Sequence, residues 1–374
     1  MTVAPGNRTV CIVLGRESMK GVNMERREFL KAAGAAAGSC ALSPQTLLTG
    51  ASAVSGGDAK DTGLPRRVLG RTGEKVSIVA FPGLALAQLS QEEGTAGVHR
   101  AFDQGINHFD VAPAYGDAEV KMGPALQGLD RNRIFLSCKT KMRDKDGARK
   151  ELERSLTRLK TDYFDLYQMH HIRWPQEVKQ ALGPGGAIET FLKAKEEGKI
   201  RHIGFSAHTT KGALEMLRGF QFDSVMFPLS YVDYLNWGFG KAVVEMARER
   251  GAAVLAMKAI YAGAWPEGAT RTRQWWYRPL EKDEEIELAL RFALSQPGVA
   301  TTVPVSYLDL LDKCIKAARS YQPITEVEVA KLQELAKGCG SVFRKEDDEA
   351  AAGHLSRASF HPDSPHECCP FANA

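Results

Sequence analysis

The sequence predicts a (β/α)8 TIM barrel preceded by a β-hairpin and followed by a C-terminal extension. Three observations carry that expectation. From Leu64 onward, short apolar runs alternate with amphipathic helical stretches, a pattern that builds parallel sheets. Eight such strand-then-helix units fall within about 250 residues, the usual size of a barrel. No Gly-x-Gly-x-x-Gly turn follows the first strand, which with the strand count argues against a doubly wound open sheet.

Taken in order, Arg66-Arg-Val-Leu-Gly-Arg-Thr-Gly-Glu-Lys-Val-Ser77 reads as a short hairpin ahead of the barrel. Strands are expected at Ser77 to Phe81, Ile106 to Asp110, Ile134 to Cys138 and Phe164 to Gln168. Four more follow at Ile200 to Phe205, Ser224 to Pro228, Ala252 to Met257 and Ala300 to Pro304. Between them, Gly147 to Leu159 places Leu152, Leu156 and Leu159 on one helical face and charges on the rest. Gly240 to Arg250 and Asp283 to Ser295 repeat that pattern. The barrel is expected over 64–336. The tail, 337–374, is rich in Gly, Ala, Ser, Pro and His with little apolar periodicity, and reads as a loosely packed extension.

Ahead of the barrel, residues 1–53 read as a leader. Glu25-Arg-Arg-Glu-Phe-Leu-Lys31 precedes a mildly apolar stretch from Ala32 to Leu42, and Ala51-Ser-Ala53 supplies small residues for cleavage. The order resembles a twin-arginine export signal, with an amphipathic helix that happens to carry Arg-Arg as the alternative. Met24 is a candidate true start. The expectation is an exported, periplasmic or cell-envelope protein that meets the Tat machinery already folded; a cytoplasmic protein is the alternative. The apolar stretch is too short to span a bilayer as a helix of about 20 residues, and no later segment is apolar enough.

Composition narrows the function. At 44% hydrophobic and 25% charged residues, the 374-residue chain can bury a substantial core. A net charge of +4 without a dense Lys/Arg stripe argues against nucleic acid as a partner. Seven scattered cysteines do not make a disulfide scaffold.

Strand ends are where a barrel keeps its chemistry. Asp110, Lys139 and His170 end the second, third and fourth expected strands, and Tyr115 sits in the loop after the second. A phenol near pKa 10 is a poor acid at neutral pH. A lysine ammonium beside it lowers that value, Asp110 pairs with and orients the lysine, and the histidine polarises a carbonyl. Such a site suits carbonyl reduction if a nicotinamide supplies the hydride. Lys141 competes with Lys139 for the lysine role; strand position favours Lys139.

Five segments in order resemble the aldo-keto reductases, from about Arg66 to Ala336. They are Leu69-Gly-Arg-Thr-Gly, Asp110-x-Ala-x-x-Tyr115-Gly-x-x-Glu119, Lys139, Asp165-Leu-Tyr-Gln-Met-His170 and Gly198-Lys-Ile-Arg-His-Ile-Gly-Phe-Ser206. The resemblance implies Tyr115 as general acid, Asp110 and Lys139 tuning it, and His170 placing the carbonyl of a small-molecule substrate. It also implies NADPH across the barrel mouth, with NADH not excluded, and Ser206, Lys258 and Ser306 near the cofactor. Departures gather on that side: Ala207-His208 where Asn is common, Met226 and Ser230 where Gln and Asn are frequent, and Met257-Lys258 for Tyr-Ser. They motivate a rival, a non-catalytic nucleotide-binding barrel acting as a regulatory or partner-binding subunit.

Two further readings concern aromatic and metal-binding residues. Trp174 is expected as a wall of the substrate pocket. Trp275-Trp-Tyr277 reads equally as a substrate-side lid or a helix anchor. No metal is expected at His170-His171, because adjacent strand residues face opposite sides. The tail's Cys339, Cys368 and Cys369 lack the repeated Cys-x-x-Cys spacing of an iron–sulfur site.

Overall fold

The computed structural model describes residues 63–354. The expected leader lies outside them, as do Cys368, Cys369 and the rest of the tail beyond 354. Among the described residues, no helix is long and apolar enough to cross a membrane.

The hairpin forms from β1 (Arg66–Val68) and β2 (Lys75–Ser77), paired antiparallel. Eight parallel strands follow: β3 (Phe81–Pro82), β4 (His108–Asp110), β5 (Phe135–Thr140), β6 (Phe164–Ile172), β7 (Ile200–Ala207), β8 (Ser224–Pro228), β9 (Ala253–Met257) and β10 (Val299–Val303). Each pairs with the next. The ring closes where Val79 bridges Thr302: Ala80 N–H donates to the Thr302 carbonyl at 2.8 Å, and Thr302 N–H to that of Ile78 at 2.9 Å.

The first barrel strand is shorter and later than expected. Ser77 is committed to the hairpin, opposite Arg66, and its hydroxyl donates to the Val79 carbonyl at 2.7 Å. That leaves Phe81 and Pro82 to pair with β4. Inside the barrel, Ala80, Phe135, Leu166, Met226, Leu255 and Ala300 form a core with Leu69 and Val76 of the hairpin. The hairpin therefore packs onto the interior of the barrel. Gly70 fits there because it adopts φ +53° and a Cβ would meet the Ala253 amide at 2.7 Å.

The larger core lies between the strands and the helices outside them. These are α1 (Gln91–Asp103), α2 (Ala118–Leu126), α3 (Lys145–Leu159), α4 (Pro175–Leu182), α5 (Ala187–Glu196), α6 (Thr210–Gly219), α7 (Tyr231–Trp237), α8 (Lys241–Glu249), α9 (Asp283–Leu294) and α10 (Leu308–Arg319). Ser90 and Glu93 close a capping box on α1, and Asp144 caps α3 through the Gly147 amide at 2.7 Å. The apolar stripe read on α3 is the buried one.

α2 and α3 approach closely at Gly123, where a Cβ would lie well inside contact distance of the Arg158 carbonyl oxygen. Gly123→Ala is expected to destabilise the barrel by about 1–3 kcal/mol, as overpacking against backbone does. A lower urea midpoint at unchanged m-value would show it; an unshifted midpoint would mean that the helices part without cost.

The tail differs from its sequence reading as far as the structure describes it. After α11 (Glu326–Ala336), residues 337–354 pack on the barrel and include α12 (Arg344–Ala352). Phe343 is 2% exposed, stacked at 9° on Phe239 and edge-on to Trp276 and His208. Asp347 accepts from the Thr210 amide at 2.6 Å, at the start of α6. A single aromatic among polar residues shows no periodicity, so the sequence signal for this packing was absent.

Candidate active site

Parallel strands deliver their last residues to one face, and four of the expected site residues meet there. Asp110 closes β4, Lys139 lies one residue from the end of β5, and His170 lies near the end of β6. Lys139 and Asp110 are 0% and 2% exposed and pair at 2.5 Å between Nζ and Oδ2. Lys139 also donates to the Val111 carbonyl at 3.2 Å, and the Gln168 amide donates to the other Asp110 oxygen at 3.4 Å. The Lys139 Nζ stands 5.1 Å from the Tyr115 ring centroid. The His170 ring meets that of Tyr115 edge-on at 5.5 Å and 87°.

Burial and charge act on these groups in opposite directions. Burial pulls the Lys139 ammonium downward, yet the negative charge available on Asp110 and Tyr115 outweighs it and leaves the lysine above its ordinary value. Burial raises the Asp110 carboxyl, opposed by Lys139 and Gln168. The phenol corrects a sequence expectation. Lys139 does pull Tyr115 downward, but burial wins and pushes it up to about 12. Tyr115 is thus a firmly protonated phenol beside a fixed ammonium. The Lys141 backbone N–H donates to Glu151 at 3.2 Å.

The end of β6 is not regular. Its pairing with β7 shifts between Met169 and Ile172, and His171 has φ +61°. Arg143 grips this bulge: its Nη2 donates to the carbonyls of His170 at 2.8 Å and His171 at 3.3 Å, and to Glu177 at 3.0 Å. Ser206 Oγ accepts from His171 N–H at 2.8 Å. Glu177 accepts from the Arg173 and Trp174 amides at 2.8 and 2.9 Å, so the chain turns at once into α4. Trp174 is carried with it. It is buried at the start of α4 and is not among the residues lining the cleft, where it was expected as a wall.

Trp275, Trp276 and Tyr277, from the irregular segment after β9, line the cleft along with Tyr115. One cleft is lined by Asp110, Tyr115 and His170 together with Ser206, Lys258 and Ser306. All three residues expected near a cofactor therefore face the same space as Asp110, Tyr115 and His170, while Lys139 lies buried behind them against Asp110. Alternation along β6 could have found Gln168, two residues before His170 on the same face. Nothing local to Arg143 marks its role, because its partners lie across the chain. Among the described residues, no group of three or more His, Cys, Asp or Glu side chains is placed to hold a metal ion.

Comparisons with known proteins agree with this fold. A L-galactose dehydrogenase from Arabidopsis thaliana is 35% identical over 159 residues, covering 39% of this chain and about half (49%) of that protein's length. The uncharacterized oxidoreductase YqkF of Bacillus subtilis is 28% identical over 312 residues, 73% of this chain and 96% of that one. Among solved structures, the aldo-keto reductase AKR11C1 from Bacillus halodurans in its holo form superposes with a TM-score of 0.61 at 26% identity, covering 74% of this chain and 98% of its own. The model of the Aldo/keto reductase family matches residues 80–337, and with eight parallel strands and oxidoreductase relatives the chain belongs to that family of enzymes.

Proposed function

We propose that the protein interconverts a carbonyl compound and an alcohol with NADP(H), and that Tyr115 is the proton donor. The observation that carries this reading is the buried Lys139–Asp110 pair set against a protonated Tyr115, with His170 edge-on to the phenol. The dehydrogenase and oxidoreductase names of the relatives support the reaction class.

A dinucleotide suits the other half of the cleft. The Lys258 amine and the Ser306 side chain offer groups for phosphate oxygens, and the Trp276 and Tyr277 rings offer apolar surface. Ser206 is partly engaged by His171 N–H, so it serves the cleft chiefly by holding the β6 bulge. When bound, the nicotinamide supplies the hydride. The chain's own residues do the rest. Tyr115 donates its proton to the carbonyl oxygen, Lys139 stabilises the phenolate left behind, and Asp110 keeps Lys139 charged and aimed. His170 orients the carbonyl.

Fluorescence titration of the full chain with NADPH and NADH tests the reading first. Saturable NADPH binding, followed by aldehyde- or ketone-dependent NADPH oxidation, is the expected result. Binding of neither nucleotide would reject it in favour of a barrel without redox chemistry.

A further inference from the structure

Lys258 occupies an unusual position. It follows the last residue of β9 with φ +62°, one of three non-glycine residues in the described chain with positive φ. That conformation is unfavourable for a lysine and is held by packing. Its side chain lines the cleft but is 8% exposed. Nζ stands over the faces of Trp276 and Phe343, 5.5 and 5.3 Å from their centroids, and 3.3 Å from the Met257 sulfur. Among the described residues no carboxylate lies within 4.0 Å of it, whereas Lys139, at the same mouth, has one at 2.5 Å. Its polar neighbour is His208 Nε2 at 3.5 Å.

Two lysines near the barrel mouth are thus treated in opposite ways. Lys139 is paired and kept as an ammonium. Lys258 is buried and, among the described residues, has no carboxylate within 4.0 Å; the two ring faces attract its ammonium, and loss of water works against the charge. We propose that Lys258 is a nucleophilic amine and that small aldehydes entering the cleft form an imine on its Nζ. The assignment goes beyond the proposed reductase chemistry and does not depend on it.

In the step, the nitrogen lone pair attacks the carbonyl carbon, a C–N bond forms, and the C=O π pair moves to oxygen. A proton passes from nitrogen to that oxygen, with His208 placed to carry it. Loss of water leaves C=N, so amine and aldehyde become imine and water with no change of oxidation state. Burial supports the availability of the lone pair by lowering Lys258 to about 7, opposed by the negative charges of Glu346 on α12 and Asp233 on α7.

The full-length protein is treated near pH 7 with propionaldehyde and sodium cyanoborohydride, which reduces the imine to a stable secondary amine, and the adducts are located by peptide mass mapping. The first equivalent is expected on Lys258, about tenfold faster than on the exposed Lys150 and Lys282. Its labelling rate should rise with a midpoint near 7, since an unprotonated amine is required. Lys258→Met should abolish the fast adduct. If that variant does not fold, mapping of the parent decides alone, and adducts spread over exposed lysines with none favoured at Lys258 overturn the proposal. Added NADPH separates this from the cofactor reading: slower Lys258 labelling supports both, while unchanged labelling keeps the amine and removes Lys258 from the cofactor contacts.

Discussion

Tyr115→Phe should lower carbonyl reduction by a factor of about 10²–10⁴ while NADPH affinity stays within about twofold. The magnitude is that of a positioned general acid. The sign follows from the site. The phenol is the group held protonated at the strand ends, raised to about 12 by burial, so between pH 6 and 9 it remains a donor. Phenylalanine preserves the ring that packs edge-on against His170 and under the Lys139 ammonium, so the cleft should keep its shape. The same elevation makes the reverse reaction the more pH-sensitive one. Alcohol oxidation needs the phenolate, which forms only as pH rises toward about 12 unless Lys139 gains influence when the cleft is filled. Parallel kcat profiles for reduction and oxidation should therefore diverge with rising pH, oxidation gaining. A Tyr115→Phe enzyme with full turnover would move the acid role to His170.

How much of this was legible depended on whether a residue's role was set by its own strand. Asp110, Lys139 and His170 could be found because an apolar run ending in a polar residue puts that residue at the mouth of any parallel barrel. The approach of Lys139 to Asp110 followed from the same position. Trp174 failed for a reason outside its segment. The shift in β6 pairing and the Glu177 contacts turn the chain away from the mouth, and both rest on Arg143, distant in sequence from its partners. Phe343 was missed because one buried aromatic in a polar tail carries no period. The pKa direction of Tyr115 was missed because a sequence shows which charges are near but not how completely they are dried. The side that the resemblance marked as altered holds Lys258, with the Trp276 ring beneath its amine and His208 beside it.

Breaking the buried pair should have the largest effect on stability. Lys139→Met leaves the Asp110 carboxylate with the Gln168 amide and no cation, and an uncompensated buried charge costs about 3–5 kcal/mol. Asp110 already titrates above its ordinary range with Lys139 present, and removing the ammonium raises it further. A carboxyl raised in the folded state contributes stability at pH below its unfolded value, and that contribution is lost as pH rises through the folded value. The single variant should thus lose stability more steeply than the parent as pH rises above the ordinary aspartate value of about 4, read in urea titrations. The double variant Asp110→Asn/Lys139→Met removes both charges. It should recover most of the stability, as neutral replacements of buried pairs do, and lose the extra pH dependence. Carbonyl reduction should stay as low as in the single variant, because Tyr115 has no cation to stabilise its phenolate. If the double variant is as unstable as Lys139→Met, the loss comes from the shape of the lysine side chain, and the charge of the pair serves the reaction alone.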